Sequence, residues 1–107
     1  MSRFGDVVER VAGVIESRLG ADPEQSWSAR LTADPALASK KLAEEAVEAA
    51  LAAVQGDKAG LIAESADLIY HWLALLAGAG VSLDEVAAAL EGREGRSGVE
   101  EKASRPR

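Results

Sequence analysis

Residues 40–76 read KKLAEEAVEAALAAVQGDKAGLIAESADLIYHWLALL. Alanine and leucine dominate both halves, a composition that favours helix over strand. The interruption GDKAG, at residues 56–60, has the glycines and aspartate of a turn. Two helices joined by so short a connection lie antiparallel. The stretch therefore predicts an all-α fold built on a helix hairpin.

The acids in this hairpin are its anomaly. Glu44, Glu45 and Glu48 fall within one arc of the first helix that also holds Lys41, opposite Leu42, Ala46, Val47, Ala49, Ala50, Ala53 and Val54. Taken alone, that is a solvated acidic face. The second helix does not allow so simple a reading. Leu61, Ile62, Leu68, Ile69, Trp72, Leu73, Leu75 and Leu76 cover most of the surface around Glu64 and Asp67, and residues 59–92 contain no Lys or Arg. An ionised carboxylate in such a setting is costly unless it is paired or bound to metal.

Register offers the partner. Folding back about Gly56 sets Glu48 beside Glu64 and Glu45 beside Asp67, since each pair is equidistant from residue 56. Within each helix the two acids are three residues apart and share a face. Four carboxylates then converge. They repel one another unless divalent cations lie among them, and an all-oxygen ligand set suits Mg²⁺ or Mn²⁺. A solvated acidic face is the competing interpretation.

Outward from the hairpin, Phe4, Val7, Val8, Val11, Val14 and Ile15 recur at helical spacing, with Gly20 as the stop. Ser26 caps a short turn through Leu31, and Asp34 followed by Pro35 caps and opens the helix that runs to about Gln55. The next helix is expected over residues 61–77. Ser82 and Glu85 have the spacing of a capping box for a last helix to about Leu90. Residues 1–91 form one helical domain. Residues 92–107, which show no helical period, form a basic tail, loosely ordered until something binds it.

Composition excludes several functions. The chain has 107 residues, enough for one domain, and its lack of cysteine rules out disulfides and thiolate catalysis. The net charge of −6 argues against a broad nucleic-acid surface. It is unevenly spread: residues 1–91 hold 15 acids and 7 bases, residues 92–107 hold 3 acids and 5 bases. Residues 61–83 are long enough for a membrane span, but Glu64, Asp67 and His71 speak against one. The expectation is a soluble cytoplasmic protein that engages neither nucleic acid nor membrane. Because the helix after Gly56 is apolar nearly all round, a second copy of the chain is expected to cover part of it, giving a homodimer.

EEAVE at 44–48 followed by ESAD at 64–67 resembles the EExxE…ExxD pattern of the all-α nucleoside-triphosphate pyrophosphohydrolases, the MazG-like superfamily. SWSARL (26–31), KKLAEEAVE (40–48), ESADLIYHWLALL (64–76) and SGVEEKASR (97–105) are similar to its phosphoribosyl-ATP pyrophosphohydrolases of histidine biosynthesis. Trp27 and Ser28 stand where Tyr and Thr are commoner in that family. The resemblance implies a four-helix MazG-like bundle completed by dimerisation. It also implies Mg²⁺-dependent hydrolysis of the α–β phosphoanhydride of phosphoribosyl-ATP to phosphoribosyl-AMP and pyrophosphate. On this basis Glu45, Glu48, Glu64 and Asp67 are metal ligands. Glu44 is a further ligand or the group that orients water, which makes Glu44 and Glu45 the catalytic pair.

Other residues have two readings each. His71, two turns after Glu64, is a buried histidine satisfied by a hydrogen bond, or a contact to a metal ligand or the substrate. Trp27, in a polar connector, stacks on adenine or only packs, whereas Tyr70 and Trp72 read as core or interface. Lys40 and Lys41 pair with Glu44 or Glu45, or contact phosphate. Arg93, Arg96, Lys102 and Arg105 form a solvated tail, or reach substrate phosphates or a partner subunit. Three rival functions remain: a house-cleaning (deoxy)nucleoside triphosphate pyrophosphatase, a non-catalytic helical interaction module, and a di-iron carboxylate bundle. The last lacks its Glu-x-x-His pairs.

Overall fold

The computed structural model describes residues 2–94 and Lys102. Among these residues there are five helices and no strand: α1 (Arg3–Ser17), α2 (Trp27–Ala33), α3 (Pro35–Val54), α4 (Lys58–Ala79) and α5 (Leu83–Glu91). The fold is all-α, as expected. Its count exceeds the expected four because the short turn after Ser26 is a helix of 7 residues.

Local chemistry sets most of the boundaries. The Ser26 hydroxyl accepts from the Ala29 N–H at 3.2 Å, and the Asp34 carboxylate accepts from the Leu37 N–H at 3.1 Å, with Pro35 in the first turn behind it. Ser82 and Glu85 close a reciprocal capping box on α5. Gly56 turns the hairpin at φ +71°, where a side chain would be strained. One boundary differs from expectation: α4 starts at Lys58 rather than near residue 61. Asp57, read as part of the turn, caps it by accepting from the Gly60 N–H at 2.9 Å.

The core lies where α1, α2, the N-terminal half of α3 and the C-terminal half of α4 meet. Ile15 and Leu31 are each 1% exposed, with Ala12, Ala38, Leu73 and Ala74 around them. Trp72 and Tyr70 pack against this cluster, and from α5 only Leu83 reaches it. Helix α2 sits tightly on α4. A Cβ added to Gly78 would lie 2.7 Å from the Thr32 carbonyl oxygen, so only glycine permits this crossing.

The packed stripe of α3 differs from the one its apolar wheel suggested. Ala38, Glu45, Ala49 and Ala52 are the buried residues, whereas Val47 and Val54 are 59% and 87% exposed. Alanines let the two hairpin helices approach closely, and Glu45 lies in their seam. Beyond the core the hairpin projects as an arm whose Leu51, Val54 and Ile62 face outward. Helix α4, though long and apolar enough to span a membrane, is the central helix here and packs against α1, α2 and α3.

Candidate active site

The hairpin register brings the carboxylates together. Glu48 of α3 and Glu64 of α4 hydrogen-bond through their side chains, with Asp67 and Glu45 close enough for their charges to act on Glu64. A hydrogen bond between two carboxyl groups requires a proton on one of them. The pKa of Glu64 is pushed up to about 7, first by that hydrogen bond, then by desolvation, then by the charges of Glu48, Asp67 and Glu45.

Glu45 is the deepest of the four, 8% exposed. Its Oε1 is shut off from solvent, and among the described residues it is Nδ1 of His71 that lies against it and offsets its burial. That nitrogen also lies 2.9 Å from the Asp67 carbonyl oxygen, one helical turn back. On the far side of the ring, the Trp27 indole N–H donates to His71 Nε2 at 3.3 Å. Trp27 and Tyr70 both meet the imidazole edge-on, at interplanar angles of 89°. His71, considered above as a substrate contact, therefore has both ring nitrogens occupied by the protein's own groups. Trp27 keeps 42% of its surface open.

The other candidates lie further out. Glu44 is at the exposed rim, with its carboxylate 3.7 Å from Lys41 Nζ, so Lys41 makes the salt bridge of its simpler reading. Lys40 is exposed, and Arg93 lies in the exposed turn after α5. Lys102 is also exposed, and Arg96 and Arg105 lie outside the described residues. An open cleft of about 490 Å³ runs from Glu48 and Glu64 along the arm towards Gln55, Asp57 and Gly60. Neither the cleft nor the Trp27–His71 contact was foreseen. The second had one signal: an indole N–H in a partly buried setting needs an acceptor.

The donor set suits a hard divalent cation. It is all carboxylate oxygen, and the raised pKa of Glu64 reports crowded like charge that a cation would relieve. As the side chains stand, no three of the described His, Asp and Glu residues converge tightly enough to hold a metal ion. Binding would have to draw Glu48 and Glu64 out of their mutual hydrogen bond.

The sequence profile of the family described as phosphoribosyl-ATP pyrophosphohydrolase matches residues 8–94. A Caulobacter vibrioides protein named phosphoribosyl-ATP pyrophosphatase is 61% identical over 103 residues, covering 96% of each chain. Proteins of the same name from Caulobacter sp. strain K31 and Paracoccus denitrificans are 57% identical over 106 residues and 54% over 99, covering 99% and 92% of both chains.

Proposed function

The chain belongs to the phosphoribosyl-ATP pyrophosphohydrolase family, and from that premise we propose that it hydrolyses the α–β phosphoanhydride of phosphoribosyl-ATP to phosphoribosyl-AMP and pyrophosphate, the second step of L-histidine biosynthesis. It is a hydrolase. The observation that carries the reading is the cluster of Glu45, Glu48, Glu64 and Asp67, whose crowded charges push the pKa of Glu64 up to about 7.

Those four residues would hold Mg²⁺, with Mn²⁺ as a substitute. When bound, the ion supplies charge that offsets the phosphate oxygens and makes nearby water more acidic. The protein's own groups do the rest. Water adds at one phosphorus of the α–β bridge, the bridging P–O bond breaks, and pyrophosphate leaves. Glu44, exposed beside the cluster and restrained by Lys41, is assigned to orient that water and take its proton. The cleft towards Gln55 is open to solvent and gives a polyanion room to approach. Lys40 and Arg93, both exposed, are assigned to meet its phosphates, together with the basic residues Arg96, Lys102 and Arg105 of the tail.

The working unit we propose is a homodimer. A groove of about 230 Å³, lined almost wholly by apolar atoms, runs between Phe4, Val7, Val8 and Val11 of α1 and Ala66, Ile69 and Tyr70 of α4. Phe4 and Ile62 are each 65% exposed. A second copy would bury these surfaces, and Ala66 puts the groove beside Asp67 in sequence.

The test is incubation with phosphoribosyl-ATP and Mg²⁺, following pyrophosphate, with and without chelator. Release that stops on chelation, and that exceeds release from a panel of (deoxy)nucleoside triphosphates, is the expected result. Preference for the panel would indicate a house-cleaning pyrophosphatase. No release from any nucleotide would leave a non-catalytic module.

A further inference from the structure

Trp27, His71 and Glu45 come from three different helices, α2, α4 and α3, and meet in one line. We propose that Trp27 and His71 form a positioning relay that fixes the Glu45 carboxylate for divalent-cation binding, with Trp27 acting through the imidazole rather than as a stacking surface for the substrate base. The inference rests on the reading of Glu45 as a metal ligand.

The direction of the relay follows from what each group can donate. An indole N–H is a donor only, so His71 Nε2, 3.3 Å away, presents its lone pair. The proton of the neutral ring is then on Nδ1, where the Asp67 carbonyl at 2.9 Å and Glu45 Oε1 are both within reach. The carbonyl bond pins the ring to its own helix. Glu45 Oε1 is sealed from solvent and takes no hydrogen bond from any other described residue. One oxygen of Glu45 is thereby anchored, and the other is left to meet a cation.

His71 is unsuited to be a ligand itself, since neither nitrogen is free. Trp27 is held in turn: it opens α2 directly after the Ser26 cap, and the contact of Thr32 with Gly78 seats that helix on α4. Outer-shell partners of this kind orient ligands and commonly matter to affinity by about 10- to 100-fold.

Mn²⁺ binding, followed by the electron paramagnetic resonance signal of the free ion, tests the relay on wild type, Trp27→Phe, His71→Leu, His71→Asn and Glu45→Gln. Thermal midpoints in chelator are recorded alongside. Trp27→Phe keeps an aromatic face but loses the donor, and should weaken binding by about three- to tenfold, the scale of one net hydrogen bond. His71→Leu should weaken it by about 10- to 100-fold. His71→Asn, whose amide nitrogen can stand in for Nδ1, should recover most of that loss. Wild-type affinity in Trp27→Phe, with or without a raised substrate KM, or wild-type affinity in a folded His71→Leu, overturns the relay. If His71→Leu does not fold, equal losses in His71→Asn and Glu45→Gln overturn it instead. Absence of Mn²⁺ binding to wild type, or undiminished binding to Glu45→Gln, overturns the metal-site reading itself, and the relay falls with it.

Discussion

Lowering the pH from 8 to 6 should weaken divalent-cation binding about tenfold, because Glu64 must give up its proton before it can ligate. With its pKa at about 7, the fraction available falls to roughly a tenth at pH 6, a half at pH 7 and nearly all at pH 8. Binding should therefore release about one proton at pH 6 and only about a tenth of one at pH 8. Titration calorimetry in two buffers of matched pH but different ionisation heat measures that number directly. Glu64→Gln, which has no proton to lose, should flatten the dependence. The metal-free protein should show the same group through its stability. A folded-state pKa raised above the ordinary carboxyl value of 4.5 contributes stability that is fully present below that value and lost as pH rises through about 7. In chelator the melting midpoint should fall between pH 5 and pH 8, and saturating Mg²⁺ should restore it at the upper end. Clear binding at pH 6 with no proton released would refute the reasoning, since Glu64 would then be already ionised or not a ligand.

Glu45→Gln, Glu48→Gln, Glu64→Gln and Asp67→Asn should each lower kcat/KM by more than about 100-fold, beyond the usual cost of an outer-shell change, with circular dichroism unchanged. In chelator these variants should melt no earlier than wild type, because like charges are relieved; wild-type turnover at saturating Mg²⁺ would remove that residue from the ligand set. Ile69→Glu, in the apolar groove, should dissociate the dimer in sedimentation, and an active wild-type monomer of 11.1 kDa would defeat the assembly. Gly78→Ala should cost about 1–3 kcal/mol in urea unfolding, the range for overpacking a close contact, and unchanged stability would show that Thr32 can move aside. Deleting residues 95–107 should raise KM or lower kcat with little loss of thermal stability, whereas a truncated chain that fails to fold or assemble would make the tail structural.

What the sequence carried locally, the structure repeats. Ser26, Asp34 and Ser82 cap helices because each needs only a backbone N–H two or three residues ahead. Gly56 sets a register that follows from arithmetic once the hairpin is granted, and Glu48 meets Glu64 accordingly. The errors arise where a residue's preference differs from what its neighbour can reach. An apolar wheel ranks Val47 and Val54 as the packed side of α3, yet the partner helix reaches the alanines instead and takes Glu45 into the seam. The valines are left facing out. Trp27 and His71 are 44 residues apart, and nothing in either segment names the other. Each advertises a need all the same: the indole for an acceptor, the buried carboxylate for a donor, the imidazole for one of each. Chemistry makes such needs visible in a sequence. Only the crossing of α2 over α4, which the bare backbone of Gly78 allows, determines which needs are answered by which residues.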